Sequence, residues 1–126
     1  MTRIGFSLLL AFTAFAGTAY AAAPAMEKTT DEHAVMFVDA RGMALYTYDE
    51  DKAGKSKCNA DCEKKWPAFV APDGAKAEGD WSTVKRDDGR LQWAYKGKPL
   101  YTWVIDTTAG VATGDNKGGV WHIARP

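Results

Sequence analysis

The stretch that decides the fold occurs twice: residues 41–51 are RGMALYTYDED and residues 96–106 are KGKPLYTWVID. Both fit the pattern [RK]-G-x-x-L-Y-T-[YW]-x-x-D, and a tryptophan follows each final aspartate at the same spacing. Agreement of these rare residues at one gapless offset indicates a tandem duplication. Because one copy is too short to build a core alone, we predict that both pack as one domain. The motif residues are Tyr46, Tyr48, Asp51 and Trp66 in the first copy, and Tyr101, Trp103, Asp106 and Trp121 in the second.

The residues around each motif predict a mainly β fold, a small antiparallel sheet domain built from two duplicated hairpin units. Strand-forming side chains bounded by turn residues mark the strands. A further strand before the second hairpin completes a three-stranded meander. The predicted strands are 34–38 and 43–48 in the first copy, and 82–85, 91–95 and 99–105 in the second.

The hairpin register follows from which side chains it buries. A three-residue loop in the second copy sets Trp93 opposite Tyr101, whereas a two-residue loop sets the polar Gln92 there. We prefer the first register because it pairs aromatic with apolar side chains. The same choice in the first copy sets Val38 opposite Tyr46.

One short helix is predicted around Asn59 to Lys65, begun by a capping Asn or Ser and stopped by Pro67. The chain is predicted to comprise a cleavable signal peptide, a flexible leader and one β-rich domain with two repeats. Their bounds are 1–21 for the signal, 22–33 for the leader and 34–126 for the domain, with repeats at about 34–70 and 82–126.

The first residues predict export. Arg3 precedes the apolar run 4–16, and the small residues that follow include the site Ala19-Tyr20-Ala21. This order is typical of a cleavable signal peptide, with cleavage near Ala21. We therefore expect a periplasmic or secreted protein. A stable membrane anchor is not expected, since the only cysteines lie far from the cleavage site and the apolar run is too short to span a bilayer.

Charge and residue pattern narrow the function classes. Sixteen basic residues balance sixteen acidic ones, so the basic excess that nucleic-acid binding requires is missing. Neither His33 nor His122 has a nucleophile at a recognised spacing, so we expect no enzyme, and no cofactor is predicted. Asp51 and Asp106 are expected to accept hydrogen bonds from following backbone N–H groups and so to end their strands.

Cys58 and Cys62 are predicted to form a disulfide, because an exported protein with an even number of cysteines usually pairs them. Four-residue spacing on a helical turn brings the Cα atoms within disulfide range. The alternative is a soft metal or redox site, in which both thiolates bind Cu(I) with Met43 as a further ligand.

The aromatic residues suggest a binding surface. Most of the five tryptophans are expected in the core, but an exposed Trp81 or Trp103 could form a stacking platform for sugars or peptides. We therefore expect a non-enzymatic binding or interaction module that contacts an envelope partner or a small ligand.

The doubled motif, the Cys-x3-Cys before Trp66-Pro67, and the block from Arg86-Asp87-Asp88-Gly89 to Tyr101 resemble a bacterial family of secreted or lipid-anchored repeat proteins with a Y-x-[FWY]-x-x-D motif. The resemblance implies an envelope protein without an assigned activity. Its motif positions carry no catalytic role, and the lipid-acceptor cysteine of many relatives is missing here. The motif positions of the family correspond here to Tyr46, Tyr48 and Asp51, and to Tyr101, Trp103 and Asp106.

Overall fold

A computed structural model describes Gly5 and residues 23–126. The predicted signal peptide and its cleavage near Ala21 lie outside the described residues, apart from Gly5. Within that described part the fold is mainly β, as predicted, and no helix there has the length and apolar character needed to cross a membrane. The elements are β1 (Met26–Thr29), β2 (Val35–Val38), β3 (Tyr46–Tyr48), α1 (Asp61–Lys65), β4 (Val70–Ala71), β5 (Trp81–Lys85), β6 (Leu91–Tyr95), β7 (Lys98–Pro99), a 3-10 turn (Lys117–Gly119) and β8 (Trp121–Ile123).

The strands form three small sheets, and every strand pair in them is antiparallel. β1 pairs with β2, and β3 pairs with β8. β6 lies between β4 and β5 and also pairs with β7, so the meander β5–β6–β7 is confirmed. Because β3 belongs to the first copy and β8 to the second, the middle sheet joins the two copies.

The segment predicted as a flexible leader contains strand β1, so this part of the prediction is wrong. In the β1–β2 hairpin Met26 pairs with Val38, and in the β5–β6 hairpin Ser82 pairs with Ala94. Ser82 lies 56 positions after Met26, and Ala94 lies 56 positions after Val38, so the two hairpins occupy equivalent places in the two copies. The first copy therefore begins at β1 and not at residue 34. All four side chains of β1 are exposed, so no apolar alternation marked it as a strand.

The preferred register of the second hairpin is also wrong, and the two-residue loop is correct. Tyr95 pairs with Lys98, and the loop residues Lys96 and Gly97 have φ of 48° and 79°, as a type I′ turn requires. β7 ends at Pro99, so the predicted strand 99–105 is too long. The two-residue register is possible because Gln92, although polar, is fully buried.

In the first hairpin Val38 pairs with Ala44 and not with Tyr46. The turn is held by Asp39, whose Oδ1 accepts hydrogen bonds from the backbone N–H groups of Arg41 (2.9 Å) and Met43 (3.0 Å). The chain then leaves β2, and Tyr46 pairs with Ile123 of β8. The predicted register paired Tyr46 with β2, whereas β3, the strand that contains Tyr46, pairs with β8 of the second copy.

The helix is shorter than predicted and begins without a side-chain cap. α1 starts at Asp61, preceded by Ala60, and ends one residue before Trp66-Pro67. Asn59 does not cap it, because its side chain accepts a hydrogen bond from Arg86 and donates one to Asp87. Its bounds lie within the predicted range, and the predicted stop before proline is confirmed.

Candidate functional site

The two copies meet at Tyr46 and Tyr101, which are both fully buried. The backbone N–H of Tyr46 donates to the carbonyl of Tyr101 at 2.8 Å, and that of Tyr101 donates to the carbonyl of Tyr46 at 3.0 Å. This mutual pair lies where a pseudo-twofold axis would relate the copies. The prediction that both copies share one interior is confirmed.

The side chains of these tyrosines bind aspartates of the opposite copy. Tyr46 Oη donates to Asp106 Oδ2 at 2.5 Å, and Tyr101 Oη donates to Asp51 Oδ2 at 2.6 Å. Each aspartate also accepts a following backbone N–H, as expected: Asp106 from Thr113 at 2.8 Å, and Asp51 from Lys57 at 2.7 Å. The motif therefore supplies a donor to one copy and its acceptor to the other.

Burial sets the protonation of these pairs. Desolvation raises the pKa of the Tyr46 phenol well above its usual value, and the hydrogen bond to Asp106 raises it further. The same two causes, with Asp51 as acceptor, raise the pKa of Tyr101. Burial also raises the pKa of the Asp51 carboxyl, against the opposing hydrogen bond from Tyr101. At neutral pH both tyrosines therefore remain protonated donors.

The remaining motif residues form a stack of four rings, which we call the ring stack. Trp66 and Trp121 lie at its centre, with ring centroids 3.9 Å apart and planes 6° apart. Tyr48 stacks on the outer face of Trp121 at 4.2 Å, and Trp103 on that of Trp66 at 4.0 Å. Each end ring therefore packs on the tryptophan of the opposite copy.

The buried tyrosines contact the ring stack at their edges. Tyr46 meets Trp66 edge to face at 5.3 Å, and Tyr101 meets Trp121 at 5.1 Å. The structure thus brings all eight predicted motif residues into one cluster. Trp103, predicted as an exposed platform, is only partly exposed, and Lys117 Nζ lies 5.6 Å from its ring centroid.

A buried arginine makes the two halves unequal. Arg86 is 4% exposed, and Nη1 donates to Gln92 Oε1 at 2.6 Å and to Ser56 Oγ at 3.1 Å. Gln92 Nε2 donates in turn to the Leu100 carbonyl, so the buried amide is satisfied. Ser56 Oγ lies 2.6 Å from Tyr101 Oη, which links Arg86 to the second tyrosine. The sequence did not predict this network, because its residues follow no recognised motif spacing.

The predicted disulfide is present between Cys58 and Cys62, whose Cα atoms are 5.1 Å apart. The Cys58 carbonyl accepts a hydrogen bond from Arg86 Nη2 at 2.7 Å, so the disulfide-bonded turn also supports the arginine. Met43, the further ligand of the copper alternative, lies in the turn after β2, where its carbonyl accepts the N–H of Asp39. With the two sulfurs bonded to each other, neither is a thiolate ligand.

The histidines lie apart from the motif cluster. His122 Nε2 is 2.7 Å from Asp49 Oδ2, and this pair is exposed on the sheet formed by β3 and β8. His33 lies in the turn between β1 and β2. Neither contacts a serine or threonine hydroxyl in the hydrogen bonds of the described residues.

Trp81 and Trp93 line an open groove, which we call the Trp81 groove. It has a volume of about 740 Å³, and both rings are partly exposed. Their centroids are 6.4 Å apart and their planes 85° apart. Behind the groove, Trp81 packs against Phe37 at 5.2 Å and Tyr95 at 5.1 Å, which holds its ring in place. The other lining residues are Ala23, Pro24, Pro72, Ala75, Lys76, Ala77 and Glu78.

Two β units define a duplicated repeat domain, in which the tyrosine of each unit donates a hydrogen bond to the aspartate of the other. The chain belongs to a family described as a secreted repeat of unknown function, Lipoprotein_15, whose model matches residues 30–70 and 82–125. The two matched segments correspond to the two copies, which confirms the resemblance noted from the motifs. No curated protein and no solved structure matches the chain.

Proposed function

We propose that this protein is an exported, non-enzymatic binding protein of the cell envelope, and that its ligand occupies the Trp81 groove. The description of its family as secreted supports export. The observation that carries the proposal is the division of the tryptophans. Three lie in the ring stack, whereas Trp81 and Trp93 present partly exposed rings to an open groove.

The lining of the groove favours an oligosaccharide as ligand. A tryptophan face offers apolar area against which the C–H face of a sugar ring can stack, while polar groups around it bind hydroxyls. Lys76 and Glu78 border the rings and supply both a donor and an acceptor. Because charges of both signs are present, the groove is suited to a neutral ligand rich in hydroxyl groups. Pro24 and Pro72 also line the groove, and their rings restrict the backbone φ angle at these positions.

Trp103, the other predicted platform residue, has a different role in this proposal. Its ring is stacked on Trp66 and contributes to the core shared by the copies. We therefore expect Trp103→Ala to lower the free energy of unfolding and to leave the Trp81 groove intact. The two candidate tryptophans are thus distinguished by which quantity their substitution changes.

The proposal is tested by calorimetric titration of the protein with soluble oligosaccharides released from bacterial cell envelopes. We expect Trp81→Ala and Trp93→Ala each to weaken binding about tenfold or more, which corresponds to about 1.4 kcal/mol. Ile105→Ala is the matched control, because Ile105 is an exposed apolar residue outside the groove. Absence of oligosaccharide binding, or equal binding by all three variants, would refute the proposal. Binding of proline-rich peptides but not of oligosaccharides, if Trp81→Ala weakened it, would keep the groove as a binding site and refute the oligosaccharide as its ligand.

Periplasmic export with cleavage near Ala21 and the absence of a membrane anchor belong to the same proposal. The mass and N-terminal sequence of the protein recovered from a bacterial host test both. We expect a soluble chain that begins at Ala22. A lipid-modified or uncleaved chain in the membrane fraction would contradict this part.

A further inference from the structure

The ring stack connects the protein surface to two buried tyrosines without a gap. Its end rings, Tyr48 and Trp103, are partly exposed, whereas Trp66 and Trp121 are 3% and 6% exposed. Neighbouring centroids within the stack are 3.9 to 4.2 Å apart, so the π systems are in van der Waals contact. Electron exchange between rings at contact distance is fast compared with exchange through solvent.

The two tyrosines that touch the inner tryptophans are each paired with a carboxylate. A phenol that loses an electron becomes strongly acidic and must pass its proton to a base at the same time. Asp106 Oδ2 lies 2.5 Å from Tyr46 Oη, and Asp51 Oδ2 lies 2.6 Å from Tyr101 Oη, so a base is already in place. A neighbouring carboxylate makes these two phenols easier to oxidise than a phenol that must release its proton into an apolar core.

We propose that the ring stack with its two Tyr–Asp pairs is an intramolecular relay, which carries a one-electron oxidation from the surface rings to Tyr46 and Tyr101. This activity is independent of ligand binding in the Trp81 groove. The oxidant is a one-electron radical of the kind that reaches proteins outside the reducing cytosol. It takes an electron from Trp103, and the oxidised indole releases its N–H proton to solvent.

The second step moves the oxidation inward and balances as follows. An electron passes from Tyr46 through Trp66 to the Trp103 radical, and Trp103 regains its proton from solvent. The Oη proton of Tyr46 moves to Asp106 Oδ2, which leaves a neutral tyrosyl radical beside a carboxylic acid. The symmetry of the copies offers an equivalent route from Tyr48 through Trp121 to Tyr101 and Asp51.

Packing alone does not account for this arrangement. A core needs the rings but not the hydroxyls, and burying an ionisable carboxyl costs free energy unless it is well bonded. Both copies nevertheless place a Tyr–Asp pair against the inner tryptophan. Two proton-accepting pairs, one against each central tryptophan of the stack, are what a relay with two routes requires.

Pulse radiolysis of the full chain tests the relay, with the azide radical as oxidant because it attacks tryptophan preferentially. The parent and all variants carry Tyr20→Phe, so that every remaining tyrosine lies in the described part of the chain even where the segment before Ala22 is not removed. We expect the tryptophan-radical absorption to convert to tyrosyl absorption at a rate independent of protein concentration. Tyr46→Phe with Tyr101→Phe should remove most of this first-order conversion, because the tyrosines that remain, Tyr48 and Tyr95, have no aspartate partner among the described residues.

Tyr95→Phe is the matched control, because Tyr95 contacts Trp81 outside the ring stack. This variant should keep the conversion. Its loss in the control, or its absence in the parent chain, would overturn the relay. If the double variant does not fold, the parent in heavy water decides: a slowed conversion supports coupled proton transfer, and an unchanged rate refutes it.

Discussion

The exchanged Tyr–Asp pairs can be tested by a double-mutant cycle on Tyr46→Phe and Asp106→Asn. Phenylalanine keeps the ring against Trp66 but removes the hydroxyl that donates to Asp106. Asparagine keeps an acceptor for the Thr113 N–H but removes the charge. The cycle therefore isolates the hydrogen bond between the copies from the packing of the two rings.

The expected magnitude follows from the contacts. A buried hydrogen bond to a charged group contributes about 1.5–3 kcal/mol, and we expect a coupling free energy in that range. Tyr46→Phe alone should cost about 2–4 kcal/mol, because Tyr46 Oη also accepts the buried N–H of Gly114, which then loses its acceptor. For a domain of this size such a loss is a large part of the total stability.

Urea unfolding monitored by tryptophan fluorescence measures all four proteins of the cycle. Tyr48→Phe is the control, since Tyr48 lies in the ring stack but its hydroxyl forms no hydrogen bond with a described residue. We expect it to change the unfolding free energy by less than about 0.5 kcal/mol. A coupling free energy below that value, or an equal cost for Tyr46→Phe and Tyr48→Phe, would show that the exchanged bonds do not hold the copies together.

Three further predictions concern other parts of the cluster. Burial raises the pKa of Asp51, so the folded state binds the Asp51 proton more tightly than the unfolded state does. The contribution of Asp51 to stability is therefore greatest in acid and is lost as the pH rises through the folded-state pKa. The stability of the parent minus that of Asp51→Asn should fall with rising pH, and a rise would contradict the assignment. Thiol titration of the denatured, unreduced protein should find no free thiol, and replacing Cys58 and Cys62 by serine should cost at most about 2 kcal/mol, because the closed ring is small; free thiols would revive the copper alternative. Gly114→Ala should cost about 1–3 kcal/mol, because its Cβ would lie 2.8 Å from Trp66 Cη2, and unchanged urea unfolding would show that the stack yields easily.

The sequence repeat predicted that the two copies pack together, because it depends on large side chains at fixed spacing. The offset made Tyr46 and Tyr101 equivalent positions, but their mutual backbone pair at the seam between the copies was not predicted, since each tyrosine was placed opposite a residue of its own copy. The exchange of aspartates could not be derived, since a motif does not state whether its tyrosine bonds within its own copy or across the seam. That choice is made by the pairing of β3 with β8.

Two of the wrong predictions, the flexible leader and the register of the second hairpin, concern segments in which polar residues leave no apolar pattern in the sequence. β1 carries only exposed side chains, so its backbone pairing with β2 left no pattern in the sequence. Gln92 is fully buried, and its amide is satisfied by Arg86 and by a backbone carbonyl. Once such partners exist, burying a polar amide costs little, and the two-residue turn at Lys96-Gly97 becomes the better register.

The exchange also explains why the motif occurs in two copies. Within one copy Tyr46 and Asp51 belong to the same unit, yet each bonds to a residue of the other unit, Asp106 and Tyr101. A single copy would leave the Tyr46 phenol and the Asp51 carboxylate without these partners and would lose half of the ring stack. The rings that pack across the two copies would then face water, so one copy buries too little apolar surface for a stable interior by itself. A chain carrying one motif would therefore need a second molecule to complete the seam, and the duplication supplies that molecule in the same chain.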